Sequence, residues 1–279
     1  MQDNTKQIEY WNGEAGQKWA QNDTHFERSI GTLNAPLLER ARAAGARSAL
    51  DIGCGCGNQT LALAQALGPG AQVTGIDVSE PMLAVARSRT AVGAARMQFL
   101  HADAASHAFE PQSFDLLFSR FGVMFFADPA AAFTNLRRAC ATDARLVFCC
   151  WQGVDRNGWL RLPMQALARH IELPPIEPHA PGPFAFGERE RVQDILGQAG
   201  FTSVRCEDLR IDLNFAQGAT LGEATEALVQ AGPAAPLLAK LGPGARADAL
   251  AEVAAAVAPH YRDGCIMMPS AIWIVSASA

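Results

Sequence analysis

At 279 residues and 49% hydrophobic, the chain can build one large domain with inserted elements, and a net charge of −5 with no lysine–arginine run argues against a nucleic-acid partner. The opening MQDNTKQIEY has no apolar leader core and no later stretch is long and uninterruptedly apolar, which fits a soluble cytoplasmic protein without a membrane partner. Seven cysteines, an odd number at irregular spacing, read as reduced thiols.

In chain order, residues 10–19 are dense in aromatics (Tyr10, Trp11, Trp19) and read as a helix packed by its aromatic face. Helical spacing covers 33–44, with Gly45 as its stop. Ser48, Ala49 and Leu50 start a strand that ends in Asp51; Gly53, Gly55 and Gly57 follow, and a helix spans 58–67 up to Gly-Pro-Gly at 68–70. A strand, a tight turn and a helix start are the place where an α/β sheet holds a nucleotide-like ligand. A second strand, 71–76, ends at Asp77, and Ser79 is placed to cap a helix over 82–89 with Glu80 and Pro81 in its first turn. A third strand, 97–100, runs into His101, Ala102, Asp103 and Ala104; a fourth covers 114–118. After Asp128 and Pro129 come a helix over 130–140 and a fifth strand over 145–151. This alternation implies a parallel sheet with right-handed crossovers.

Beyond Trp151 the alternation breaks. Residues 152–187 carry Pro163, Pro174, Pro175, Pro178, Pro181 and Pro183 around a helical patch at 160–170. A helix over 188–198, closed by Gly200, and a strand over 203–213 restore the order; 216–263 is rich in alanine and leucine and reads as two or three helices before an apolar strand at 271–275. LGPGA occurs at 67–71 and 241–245 and reads as a helix-ending turn used twice.

Glycine spacing discriminates between ligands. A dinucleotide G-x-G-x-x-G starting at Gly53 would need glycine at 58, where Asn58 stands; started at Gly55 it would need glycine at 60, where Thr60 stands. Asp51, Asp77 and Asp103 fall at three successive strand ends, which converge on one crevice in a doubly wound sheet. Each alone is an ordinary turn aspartate. In order behind a G-x-G-x-G loop, they suit a ligand bearing hydroxyls and amines.

The pattern D-x-G-x-G-x-G resembles motif I of the class I S-adenosylmethionine-dependent methyltransferases, within the group of the ubiquinone/menaquinone-type enzymes, and the likeness spans 46–151. It implies a doubly wound, mostly parallel, seven-stranded Rossmann-like sheet with an antiparallel last strand and inserted helical caps at 152–187 and 216–263, with 188–215 and 264–279 completing the sheet. It implies S-adenosylmethionine as methyl donor, leaving S-adenosylhomocysteine. By the resemblance, Gly53, Gly55 and Gly57 admit its amino-acid part, and Asp51 lies beneath, near the ammonium or a bound water. Asp77 accepts from both ribose hydroxyls; Val78 packs on the adenine, beside Met82; Asp103 and Ala104 read the adenine edge. Ser119 and Arg120, in SRFGVMFFADP, fall beside the methyl group, and residues 1–45, with Trp11 and Trp19, form a lid. The family's Lys-Pro-Gly-Gly turn is replaced by Ala141-Thr142-Asp143-Ala144, at a distal turn.

Cys54 and Cys56 form a C-x-C without a second pair at ligand spacing, so buried thiols are expected there and no metal. Among the histidines, His101 is expected to support its turn, His107 lies in a loop, and His170, His179 and His260 sit in the insertions; His25 is the one to test, and no catalytic base is assigned. Trp151, Trp159, Phe184 and Phe186 make the cover of the crevice apolar, which points to a small, largely uncharged acceptor enclosed from water, or else to plain core or a contact between copies. Two other classes compete: a nicotinamide-dependent oxidoreductase, which the missing third glycine argues against, and a non-catalytic S-adenosylmethionine-binding scaffold or sensor.

Overall fold

The computed structural model describes residues 4–90, 95–173, 177, 179–216 and 218–279; Pro174, Pro175 and Pro178 of the proline-rich stretch, and residues 1–3 of the expected lid, lie outside them. Three short helices, α1 (Thr5–Asn12), α2 (Glu14–Gln21) and α3 (Asp23–Ile30), precede α4 (Asn34–Ala43). Then β1 (Ser48–Ile52), α5 (Asn58–Leu67), β2 (Gln72–Asp77), α6 (Glu80–Arg87), β3 (Arg96–His101), β4 (Phe114–Arg120), α7 (Pro129–Ala139) and β5 (Cys140–Trp151) follow in the expected order. The strands lie in the order β3-β2-β1-β4-β5, all parallel. Leu50, Ile52, Ile76, Leu116, Leu117, Phe118, Leu146 and Phe148 are fully buried, as strands covered by helices on both faces require.

The second half carries α8 (Gly158–Leu167), α9 (Arg189–Gln198), β6 (Thr202–Phe215), α10 (Leu221–Gln230), α11 (Ala234–Leu238), α12 (Pro243–Val257), β7 (Tyr261–Arg262) and β8 (Cys265–Ser278). β8 runs antiparallel between β5 and β6, so the last strand is the antiparallel one; the two-residue β7 on its side makes eight strands rather than seven. β8 has 14 residues where the apolar run showed five, because Ile266 to Ser270 pair with β6 beyond the end of β5 opposite Ile272, Cys265 pairs with β7, and Ser276 and Ser278 stay paired with β5 and β6 at the other end. Pro269, which has no N–H to donate, sits in that outer part. β5 likewise starts at Cys140, because the chain pairs with Phe114 before a bulge and Asp143 turns through φ 64°.

Two local readings are corrected. The first LGPGA ends α5 at Gly68, but in the second Gly242 precedes α12 and Pro243 opens it, because proline suits a first helical turn. Ser79 does occupy the position before α6, yet its hydroxyl donates to the Trp11 carbonyl at 2.6 Å, and the Glu80 N–H is met instead by Asn12 Oδ1 at 3.1 Å. Among the described residues no helix is long and apolar enough to cross a membrane, and no cluster of three or more His, Cys, Asp or Glu could hold a metal ion.

Candidate active site

The carboxyl ends of β1, β2, β3, β4, β5 and β6 open on one cavity of about 250 Å³, closed on the outside by α1, α2 and α3. Its first wall is the glycine loop and its neighbours. Gly53, Gly55 and Gly57 all have left-handed backbones, at φ 65°, 53° and 77°. At Gly53 a Cβ would stand 2.6 Å from the Gly122 Cα, because the turn after β4 crosses directly over the loop. Gly53→Ala is therefore expected to cost roughly 2–5 kcal/mol, from strain plus overpacking, read as a lower urea midpoint at unchanged slope.

Gly55 lines the cavity and its N–H donates to Asp77 Oδ2 at 2.8 Å, while the Ser79 N–H donates to Oδ1 at 2.8 Å. Burial raises the Asp77 pKa, and the amides of Ser79, Gly55 and Val78 oppose that rise. The carboxylate is thus fixed in direction by backbone before any ligand arrives. Asp103 accepts from the Ala105 N–H at 3.0 Å, and Ala104 is held through its carbonyl by Asn135. Val78, Met82, Asp103, Ala104, Trp11 and Trp19 all line the cavity. His101 supports the turn, as expected, with Nε2 3.0 Å from the Val78 carbonyl.

Three expected site residues, Gly57, Ser119 and Asp51, stand behind the wall, and of these Asp51 is the one expected beneath the ligand. Gly57 opens α5, and its missing side chain faces Ala86 and Phe99; a Cβ would lie 2.9 Å from Ala86 Cβ, so this glycine serves helix packing. Ser119 is fully buried, with its hydroxyl donating to the Ile52 carbonyl at 2.7 Å and accepting from the Gly122 N–H at 3.1 Å. Both its functions are spent on tying the β4 turn to β1. Asp51 lies under the loop, 1% exposed, with Oδ2 accepting from the Thr60 hydroxyl at 2.6 Å and Oδ1 without a partner.

Burial pushes the Asp51 pKa up to about 7, against the Thr60 bond and the Arg120 charge. The folded protein therefore keeps a proton up to about pH 7 that the unfolded chain releases near pH 4, so the stabilisation present below about pH 4 is lost as pH rises towards 7. The full loss is on the order of 4 kcal/mol. Asp51→Asn keeps an acceptor for Thr60 and cannot titrate. Urea melts should show wild type losing stability relative to this variant between pH 4 and 7; parallel curves would refute the linkage.

Arg120 lines the cavity, but its guanidinium is taken by Glu27 of α3 (Nη2–Oε2 2.5 Å, Nη1–Oε1 3.0 Å) and by Asn34 Oδ1 at 2.6 Å. The Arg120 guanidinium is thus paired with an acid of the N-terminal helices rather than left open to bind a carboxylate. Asp23 of α3 accepts from Asn58 and Arg89, both at 2.5 Å, and joins the helices to the loop. Sequence spacing gave no sign of Asp23 or Glu27. The burial of Cys54 and Cys56 raises both thiols, Cys56 to about 12, so they are protonated space-fillers at neutral pH.

The second wall is apolar. Phe121 stacks on Trp151 with centroids 4.3 Å apart, and Trp151 leads to Trp159 at 5.1 Å; Phe125, Leu213 and Phe215 complete it. Phe121 holds a left-handed φ of 65°, strain of the kind that gathers at functional sites. Of the expected cover, Phe184 packs behind Trp159, and Phe186 belongs to the core with Phe133 and Phe148. His25 packs on Phe26 and does not line the cavity.

Residues 49–143, which span β1 to β5 and carry the glycine loop, match the family described as methyltransferase domain. That stretch of the chain is similar to a methyltransferase domain. Demethylmenaquinone methyltransferases from Staphylococcus aureus strains are 41% identical over 99 residues, 36% of this chain and 41% of theirs. The chain thus matches less than half the length of those relatives. Over the whole fold, the phosphoethanolamine N-methyltransferase 2 of Haemonchus contortus, in complex with S-adenosyl-L-methionine, is similar at TM-score 0.57 and 20% identity, covering 100% of this chain and 60% of that one. The YcgJ protein from Bacillus subtilis is similar at TM-score 0.54 and 18% identity, covering 90% of this chain and 97% of that one.

Proposed function

We propose that the protein binds S-adenosylmethionine against the glycine loop and transfers its methyl group to a small, largely apolar acceptor in the cytoplasm. The observation that carries this reading is Asp77: a buried carboxylate at the end of β2, aimed by two backbone amides, on the wall of a cavity whose loop lacks the dinucleotide glycine pattern. In this reading Asp77 accepts from both ribose hydroxyls, and Val78 and Met82 flank the adenine. Asp103 and Ala104 meet the adenine edge, and Gly53 and Gly55 lie along the amino-acid part. The space over Gly55 suits this, since a Cβ there would meet nothing nearer than Met82 Sδ at 3.7 Å. In this reading Trp11 and Trp19 belong to a lid that closes the site over the cofactor core of residues 46–151. The segments 152–187 and 216–263 enclose the acceptor; Trp159 and Ala231 of these segments line the same cavity.

Bound there, S-adenosylmethionine supplies a methyl carbon already activated by a positive sulfur. The protein's part is alignment and exclusion of water, which can contribute up to roughly 7–11 kcal/mol. Calorimetry with S-adenosylmethionine, S-adenosylhomocysteine and NAD tests the reading, followed by release of S-adenosylhomocysteine against a metabolite library. Binding of NAD without S-adenosylhomocysteine would overturn it.

A further inference from the structure

Ser79 stands before α6 and does not cap it. A serine in that place ordinarily spends its oxygen on the first free N–H groups of its own helix. Here the hydroxyl turns to the lid and donates to the Trp11 carbonyl at 2.6 Å. The lid supplies the missing cap. Asn12, the last residue of α1, accepts from the Glu80 N–H at 3.1 Å through Oδ1, and its Nδ2 donates to the Val78 carbonyl at 2.7 Å. One carboxamide thus takes backbone groups on both sides of Ser79, across 66 and 68 residues of chain. The second lid helix rests on the same turn: at Gly16, the buried residue of α2, a Cβ would stand 2.6 Å from Ser79 Oγ.

The turn carries the aim of Asp77. The Val78 carbonyl and the Ser79 N–H belong to one planar trans peptide and point in opposite directions. A bond from Asn12 to that carbonyl therefore directs the N–H, which reaches Asp77 Oδ1 at 2.8 Å. His101 meets the same carbonyl at 3.0 Å, but its side chain is 46% exposed, which makes it the looser of the two holds. The bonds of Glu27 go to Arg120 and Asn34 and so fasten α3 to the core without engaging Val78 or Glu80. We propose that Asn12 is a positioning residue of the methyl-donor site: it holds the Val78–Glu80 turn so that the Ser79 N–H stays on Asp77, and the lid and the ribose-binding carboxylate are set together. This role rests on the methyl-transfer reading above and deepens it.

Calorimetry with S-adenosylhomocysteine on wild type, Asn12→Ala, Asp77→Ala and the double variant tests this. Asn12→Ala should weaken binding about threefold to tenfold, the size of one net hydrogen bond. In the Asp77→Ala background the same change should cost less than about twofold, because the carboxylate it aims is gone. Glu27→Ala, which loosens the lid by another route, should cost the same factor in both backgrounds. An Asn12→Ala loss of equal size in the two backgrounds overturns the role, since Asn12 would then only fasten the lid. Unchanged affinity of Asn12→Ala in the presence of Asp77 overturns it as well. Should Asn12→Ala fail to fold, Ser79→Ala takes its place with the same expected and overturning results: it removes the hydroxyl bond from the turn to the lid and keeps the Ser79 N–H. Wild type that fails to bind S-adenosylhomocysteine removes the methyl-transfer reading, whereas binding with equal losses removes the role of Asn12 alone.

Discussion

Asp77→Ala is expected to bind S-adenosylmethionine at least tenfold more weakly than wild type while remaining folded. Two hydrogen bonds from ribose hydroxyls to a carboxylate contribute roughly 1.5–3 kcal/mol each, and about 1.4 kcal/mol is a factor of ten, so tenfold is a floor. The substitution also acts on the free protein. It leaves the Gly55 and Ser79 amides without the oxygens they now reach at 2.8 Å, at a cost of roughly 1–3 kcal/mol for the buried Ser79 N–H. It also removes a carboxyl group that burial already disfavours in its charged form, which offsets part of that cost. The β2 ladder is unaffected, since Val73 to Ile76 stay paired with β1 on one side and β3 on the other. A modest fall in the urea midpoint with a large fall in affinity is the expected pair of results. Unchanged affinity by calorimetry would remove Asp77 from the cofactor site.

The part of this site that was legible in the sequence is the part built within one strand-turn-helix unit. Asp77 and Asp103 follow their strands directly, so their place at the crevice came from pattern alone, and α5 begins and ends where its spacing put it. Orientation was not legible. Ser119 and Arg120 are adjacent at the end of β4, and strand alternation sends one under the loop and the other into the cavity. Gly57 shares its motif with Gly53 but faces α6, which only the packing of Ala86 reveals. The lid contacts were out of reach for another reason: Asp23 meets Asn58 across 35 residues and Glu27 meets Arg120 across 93, and no local periodicity encodes such pairs. The aromatic wall was half legible, Trp151 and Trp159 by position and Phe121 only through its left-handed turn.

Glu27→Ala is expected to loosen the lid more than any other single change in α1 to α3. Those helices have little apolar anchorage: α1 buries no residue, α2 only Gly16, and α3 only Phe26 and Ser29. Polar side chains therefore fix their position, and the Arg120–Glu27 pair is the most enclosed of these, with side chains 8% and 25% exposed. Removing Glu27 leaves the Arg120 guanidinium buried with Asn34 as its remaining side-chain partner. Breaking a buried pair costs about 3–5 kcal/mol, and the partial exposure of Glu27 brings the expectation down to roughly 2–3 kcal/mol. Because the uncompensated charge is the cause, Glu27→Leu combined with Arg120→Leu should be less destabilised than Glu27→Ala alone, although it lacks both charges. Limited proteolysis should show faster cleavage between α2 and α4 in Glu27→Ala, with slower cleavage restored in the double variant. In the methyl-transfer reading the loosened lid also withdraws Trp11 and Trp19, so S-adenosylmethionine affinity should fall with lid protection. Equal protease resistance in wild type and Glu27→Ala would show instead that the ring contacts of Trp11 with Phe125 and of Trp19 with Phe26 hold the lid closed without the ion pair.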